Sequence, residues 1–153
     1  MLVKNFMVPK GKVVSCLPSD TLETVMKKML KHSVGSIVVA ENEDDLPIGI
    51  ITKTDLIAGW DQGMSKDTEA RHIMGRTIEA MLESSPVGEA ANHFEDTKHR
   101  HAFVVNDQND YVGIVTAYDV AVETARDHKA WPYVNRDALH EKFKVPTPAT
   151  HVH

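Results

Sequence analysis

The chain is written twice. Gly49-Ile50-Ile51-Thr52-Lys53-Thr54-Asp55-Leu56 recurs 64 positions later as Gly113-Ile114-Val115-Thr116-Ala117-Tyr118-Asp119-Val120. Repetition at a fixed offset constrains a fold strongly, because each copy must be one supersecondary unit that completes its core against the other. Upstream of each copy lies an amphipathic helical pattern. Leu22, Val25, Met26, Met29 and Leu30 form the first apolar stripe and Val87, Ala90, Ala91 and Phe94 the second, at the i, i+3, i+4, i+7 spacing of one helix face. Ser19 or Asp20 is expected to cap the first helix, and Ser85 followed by Pro86 at the first helical position suits the second.

After each helix comes a short β-branched or aromatic run, Ser36 to Val39 and Ala102 to Val105. A polar turn follows (Glu41 to Pro47, Asn106 to Asp110), and then the glycine-led run. Each copy therefore reads strand, helix, strand, strand, helix, with a hairpin joining the last two strands and an offset that drifts from 64 to 66 with turn length. The strands are apolar at most positions, as strands buried on both faces are. The expected architecture is α/β (α+β), with two βαββα repeats packed sheet to sheet about a pseudo-two-fold axis. The polar, glycine-containing stretch from Gly59 to Gly75 is the natural joint. It divides the chain into a first repeat at 1–60, a linker at 61–70, a second repeat at 71–130 and a tail at 131–153, where prolines at 132, 146 and 148 suggest a partly helical, partly extended appendage.

Composition narrows the function. A formal net charge of −5 argues against general affinity for nucleic acid, which needs a concentrated basic surface. No apolar run approaches the ~20 residues that span a bilayer, and residues 1–6 lack a secretory signal's apolar stretch, so a cytoplasmic, membrane-free protein is expected. The single cysteine, Cys16, fits a reducing compartment and reads as a buried structural thiol. His99-x-His101 and His151-x-His153 lack further ligands at zinc spacing, so no metal is assigned. No serine elbow, phosphate-binding GxxxxGK[ST] or GxGxxG is present, and no nucleophile with its base is evident, so no catalytic residue is assigned and the chain is read as not an enzyme.

Within the repeated run, the glycine permits close approach of another backbone, and the Thr sits where its strand ends. Asp55 and Asp119 then fall in the first turn of the next helix, where a hydroxyl and a carboxylate three residues apart can face a ribose. The same Thr-x-x-Asp is also a helix-capping signature worth about 1 kcal/mol with no ligand at all.

These residues resemble the CBS domain, named after the C-terminal region of cystathionine beta-synthase, here as a tandem pair over roughly residues 2 to 128. Both copies carry the family's glycine, two apolar residues, Thr or Ser, two variable residues and Asp. Val3-Lys4-Asn5-Phe6-Met7 and Arg71-His72-Ile73-Met74 resemble the short segment that precedes each repeat.

The resemblance implies a regulatory module that binds an adenosine-containing nucleotide in two pseudo-symmetric clefts and does no chemistry. One cleft would combine Thr52, Thr54 and Asp55 with Ile78, Glu79 and Ala80, and with Arg100, His101, Ala102 and Phe103. The other would combine Thr116, Tyr118 and Asp119 with Val13, Val14 and Ser15, and with Val34 to Ile37. Arg100 and His101 stand where some members carry phosphate-reaching basic residues, while Val34 and Gly35 are taken as their uncharged counterparts. The Asp55 cleft is thus expected to prefer AMP, ADP or ATP, with guanidinium and imidazolium offsetting phosphate charge. The Asp119 cleft is expected to be weaker for phosphates, to be empty, or to suit a ligand such as S-adenosylmethionine, with Tyr118 either stacking on a base or filling the pocket. The resemblance also implies a homodimer through the helices and a regulated enzyme or transporter as partner. The alternative is a ligand-independent docking module with vestigial clefts.

Overall fold

A computed structural model describes residues 1–75 and 79–126; Ile78, the tail, and His151 and His153 lie outside the described residues. The strands are β1 (Val8–Pro9), β2 (Ser15–Cys16), β3 (Ser36–Val39), β4 (Gly49–Thr52), β5 (Glu79–Leu82), β6 (His101–Val105) and β7 (Tyr111–Thr116). The helices are α1 (Leu22–His32), α2 (Lys53–Asp61), α3 (Val87–Thr97) and α4 (Ala117–Arg126). One sheet runs β2-β3-β4 and the other β1-β7-β6-β5. In each repeat a parallel pair (β2–β3, β5–β6) continues into an antiparallel hairpin (β3–β4, β6–β7).

Strand alternation sorts the apolar residues into three layers. Ile37, Val39 and Ile51 turn toward the helices with Val25 and Met29; Ala102, Val104 and Val115 do the same with Ala90, Phe94 and Val120. The intervening residues Val38, Ile50, Phe103 and Ile114 meet between the two sheets together with Tyr111. This middle layer explains the unbroken apolar strands: both faces are covered.

The segments preceding the repeats are exchanged. Residues 1–9 complete the second repeat: Val3 N–H donates to Ser85 O and Lys4 N–H to Glu83 O, both at 2.9 Å, Val3 is fully buried in that core, and β1 lies antiparallel on β7. Reciprocally, Ala70, Ile73 and Met74 join the first core. Leu22 N–H donates to Thr68 O at 2.8 Å, and Gly75 and Ile50 trade backbone hydrogen bonds at 2.9 and 3.1 Å.

Several local expectations are corrected. Thr21, not Ser19 or Asp20, caps α1, its Oγ1 accepting from Thr24 N–H; the Asp20 carboxylate instead accepts from Leu17 N–H at 2.8 Å. Pro86 occupies the N-cap of α3, so the helix begins at Val87 and Ser85 lies outside it. Leu22, Val25 and Met29 are buried on α1, but Leu30 is 81% exposed, because the ~100° step from Met29 carries it off the buried face. Among the described residues no helix is long and apolar enough to cross a membrane.

Candidate functional site

Thr52 ends β4 and caps α2. Its backbone N–H donates to Asp55 Oδ2 at 2.8 Å, its hydroxyl donates to the same oxygen at 3.0 Å, and Asp55 N–H returns to Thr52 Oγ1 at 3.3 Å. This is a full capping box, so the structural role of Thr-x-x-Asp is real in the first repeat. In the second, Asp119 N–H donates to Thr116 Oγ1 at 3.0 Å, but among the described residues the Asp119 carboxylate makes no return bond to Thr116. The two copies share a motif and differ in what the carboxylate is free to do.

Backbone pairing fixes the correspondence between the repeats. Lys53 N–H donates to Gly35 O at 3.1 Å and Ala117 N–H to Arg100 O at 2.8 Å. Ser36 pairs with Thr52 and His101 with Thr116. Arg100 therefore corresponds to Gly35 and His101 to Ser36, correcting the expected Val34 and Gly35. The offset at the strand entry is 65 (100 minus 35), since both helices close on a left-handed residue at equivalent positions, Ser33 and Lys98.

A cleft of about 510 Å³ opens where β4 meets α2, lined by Thr52, Lys53, Thr54, Asp55, Arg100, His101 and Gly35. Five of the residues expected at this site thus come together. Gly35, assigned from the sequence to the opposite cleft, joins them, and Lys53 is an addition that a reading of each repeat alone missed. Setting the copies side by side would have raised it, as Lys53 against Ala117 and Gly35 against Arg100 are their sharpest chemical differences here.

The remaining expected residues lie elsewhere. Glu79 turns to the helical side, its carboxylate 3.1 Å from His93 Nε2 and 3.6 Å from His99 Nδ1. Ala80 is exposed on the edge strand β5. Ala102 is buried beneath the helices, and Phe103 packs edge-to-face on Tyr111 between the sheets, with ring centres 6.0 Å apart. Thr116 and Asp119 are half-buried, while Tyr118 is 76% exposed. Val13 and Ser15 line a small cavity with Val38 and Tyr111, and with Val14 they border an opening beside Lys28 and His32. Val34 and Ile37 belong to the first core. His99 faces Glu79 while His101 faces the cleft, so the pair does not share a site.

His101 is where the two motif copies meet electrostatically. Burial depresses its pKa below the ordinary imidazole value and the Arg100 guanidinium adds to this, while Asp119 and Asp55 pull the other way. Burial and Arg100 thus disfavour the imidazolium, and the two carboxylates favour it. Fixed positive charge at the cleft comes from Lys53 and Arg100.

The CBS domain model matches residues 3–59 and 70–125. An uncharacterised protein of Methanopyrus kandleri is 36% identical over 115 residues, which are 74% of this chain and 58% of that protein, so the chain spans little more than half of its relative's length. The CBS domain of a bacterial CNNM/CorC family Mg2+ transporter, solved with ATP, superimposes with a TM-score of 0.73 at 21% identity over 82% of this chain and 87% of that one. CBSX2, solved with AMP, gives 0.67 at 21% identity over 82% and 96%.

Proposed function

The chain belongs to the CBS domain family, as a tandem pair, and from that premise we propose that it binds an adenosine nucleotide, AMP, ADP or ATP, in the cleft between its repeats and relays that occupancy to a partner. The observation that carries this reading is the 510 Å³ cleft itself, in which a helix-initiating Asp55 faces Arg100 and His101 of the other repeat. A carboxylate suits ribose hydroxyls and a guanidinium suits phosphate. Similar folds solved with ATP and with AMP agree with that ligand class. The residues offered are Thr52, Thr54, Asp55, Arg100 and His101, and the role is regulatory rather than catalytic. A ligand that touches both repeats favours one relative arrangement of them, which a partner enzyme or transporter can read as a shifted population. Self-association through the helices fits the same picture, since Phe94, Val120 and Ala121 wall an apolar groove between α3 and α4 that no other described residue fills.

The test is a thermal-shift panel with AMP, ADP, ATP, NADH and S-adenosylmethionine on the wild type, Asp55→Asn and Asp119→Asn. Ligand at a hundredfold excess over Kd should stabilise by about 2.7 kcal/mol. A nucleotide-dependent rise that Asp55→Asn removes supports the reading. No shift with any ligand supports the second reading, a docking module, which is favoured by one observation: Asp55 already has a structural task as the partner of Thr52.

A further inference from the structure

The two repeats place their long cations at opposite members of one backbone pair. In the first repeat the pair is Lys53 N–H to Gly35 O, and in the second it is Ala117 N–H to Arg100 O. Where one repeat has a cation at the helix start, the other has it at the strand entry, and each cation is paired with a residue that has little or no side chain. The consequence for packing is direct at Gly35: a Cβ there would stand 3.7 Å from Lys53 Cε and 3.9 Å from its Cδ. The lysine stem thus lies over the bare glycine, and both Lys53 and Arg100 border the same cleft.

Resting on the nucleotide reading above, we infer that Lys53 is the specificity-determining residue of this cleft, forming with Arg100 a two-sided clamp that favours nucleoside di- and triphosphates over monophosphates. One guanidinium can engage a single phosphate through two parallel hydrogen bonds, which satisfies a monophosphate. A second cation adds most where a second or third phosphate is there to meet it. His101 is a weaker substitute, because burial and the Arg100 guanidinium both disfavour its protonation. The clamp also works against a background of negative charge from Asp55 and Asp119, both of which act on His101. A longer phosphate chain therefore needs a second cation here.

Isothermal titration of the full chain with AMP and ATP, on wild type, Lys53→Met, Lys53→Arg and Asp55→Asn, tests the clamp. The wild type is expected to bind ATP more tightly than AMP. Lys53→Met is expected to lose on the order of tenfold in ATP affinity, as for one charge-assisted contact, with less than about a twofold change for AMP, and Lys53→Arg to restore the preference. Lys53 is exposed, so an unchanged melting temperature without ligand is expected to show that Lys53→Met folds. Equal loss for both nucleotides, or no change for either, while the wild type binds both, overturns the clamp and leaves the nucleotide reading standing. No binding of any nucleotide to the wild type overturns that reading and the clamp with it.

Discussion

A side chain at Gly113 has no room, because the carbonyl oxygen of Val8 already occupies the place where its Cβ would stand. The contact comes from the exchange of the preceding segments, which lays β1 across β7 with Pro9 opposite Gly113. The first repeat repeats the arrangement more softly: a Cβ on Gly49 would meet Met74 Sδ at 2.5 Å and Gly75 O at 3.0 Å. Thioether atoms at the end of a flexible side chain yield where a paired backbone cannot. Gly113→Ala is thus expected to cost about 3 kcal/mol and Gly49→Ala roughly 1–2 kcal/mol, within the usual range for overpacking. Urea denaturation of both variants checks the order; equal losses would mean that β1 does not pin β7.

The depressed pKa of His101 gives the protein's stability a pH signature. The unfolded chain takes up the imidazole proton more readily than the folded one, so stability is complete above the ordinary value of 6.5 and falls as pH drops below it. Bound phosphate reverses the sign, since an anion beside the ring favours imidazolium. Nucleotide affinity should therefore rise as pH falls from 8 to 6. The nucleotide's own phosphate titrates in the same range, so the measured quantity is the difference in slope between the wild type and His101→Asn. Identical slopes would exclude His101 from the phosphate site.

Asp55 has two tasks that one substitution can separate. Asp55→Ala removes the acceptor of the Thr52 N–H and hydroxyl and should cost about 1 kcal/mol as a lost cap, so loss of ligand binding in that variant is ambiguous. Asp55→Asn keeps a side-chain carbonyl for the box and removes the charge. It is expected to melt within a degree or two of the wild type, yet to lose most nucleotide affinity. At Asp119, where the carboxylate does not close the box, alanine should be tolerated better than at Asp55. Chemical denaturation of the three variants gives the comparison.

What the sequence revealed follows from the range of each interaction. The hairpins, the helices and the Thr-x-x-Asp turns depend on neighbours at most 16 residues apart, as Ser36 and Thr52 are, and the repeated run exposed them twice. The glycines at 49 and 113 were also legible as points of close approach, although not what approaches them. Exchange of residues 1–9 and 70–75 between the repeats was hidden, because such short segments carry no periodicity and either repeat lies within reach of the chain. Lys53 was hidden differently. It is a variable position within its own motif, and its meaning appears only when Gly35 is found beneath it.

Cys16 offers a readout that links the fold to ligand occupancy. Its thiol is buried on β2 within the first core, and burial, reinforced by Asp20 and opposed by Lys28, pushes its pKa up to about 11. The reactive species is the thiolate, so at pH 8 the native thiol should be inert to a disulfide reagent except through opening of the first repeat. In that regime the labelling rate follows the population of the open form. A nucleotide that bridges Asp55 and Arg100 must leave before the repeats separate. Saturating ATP should then slow labelling by a factor of 1 + [ATP]/Kd, about a hundredfold at a hundred times Kd. Labelling at the rate of a free thiol would refute the burial of Cys16. Slow labelling that ATP leaves unchanged would mean that the first core opens without disturbing the cleft.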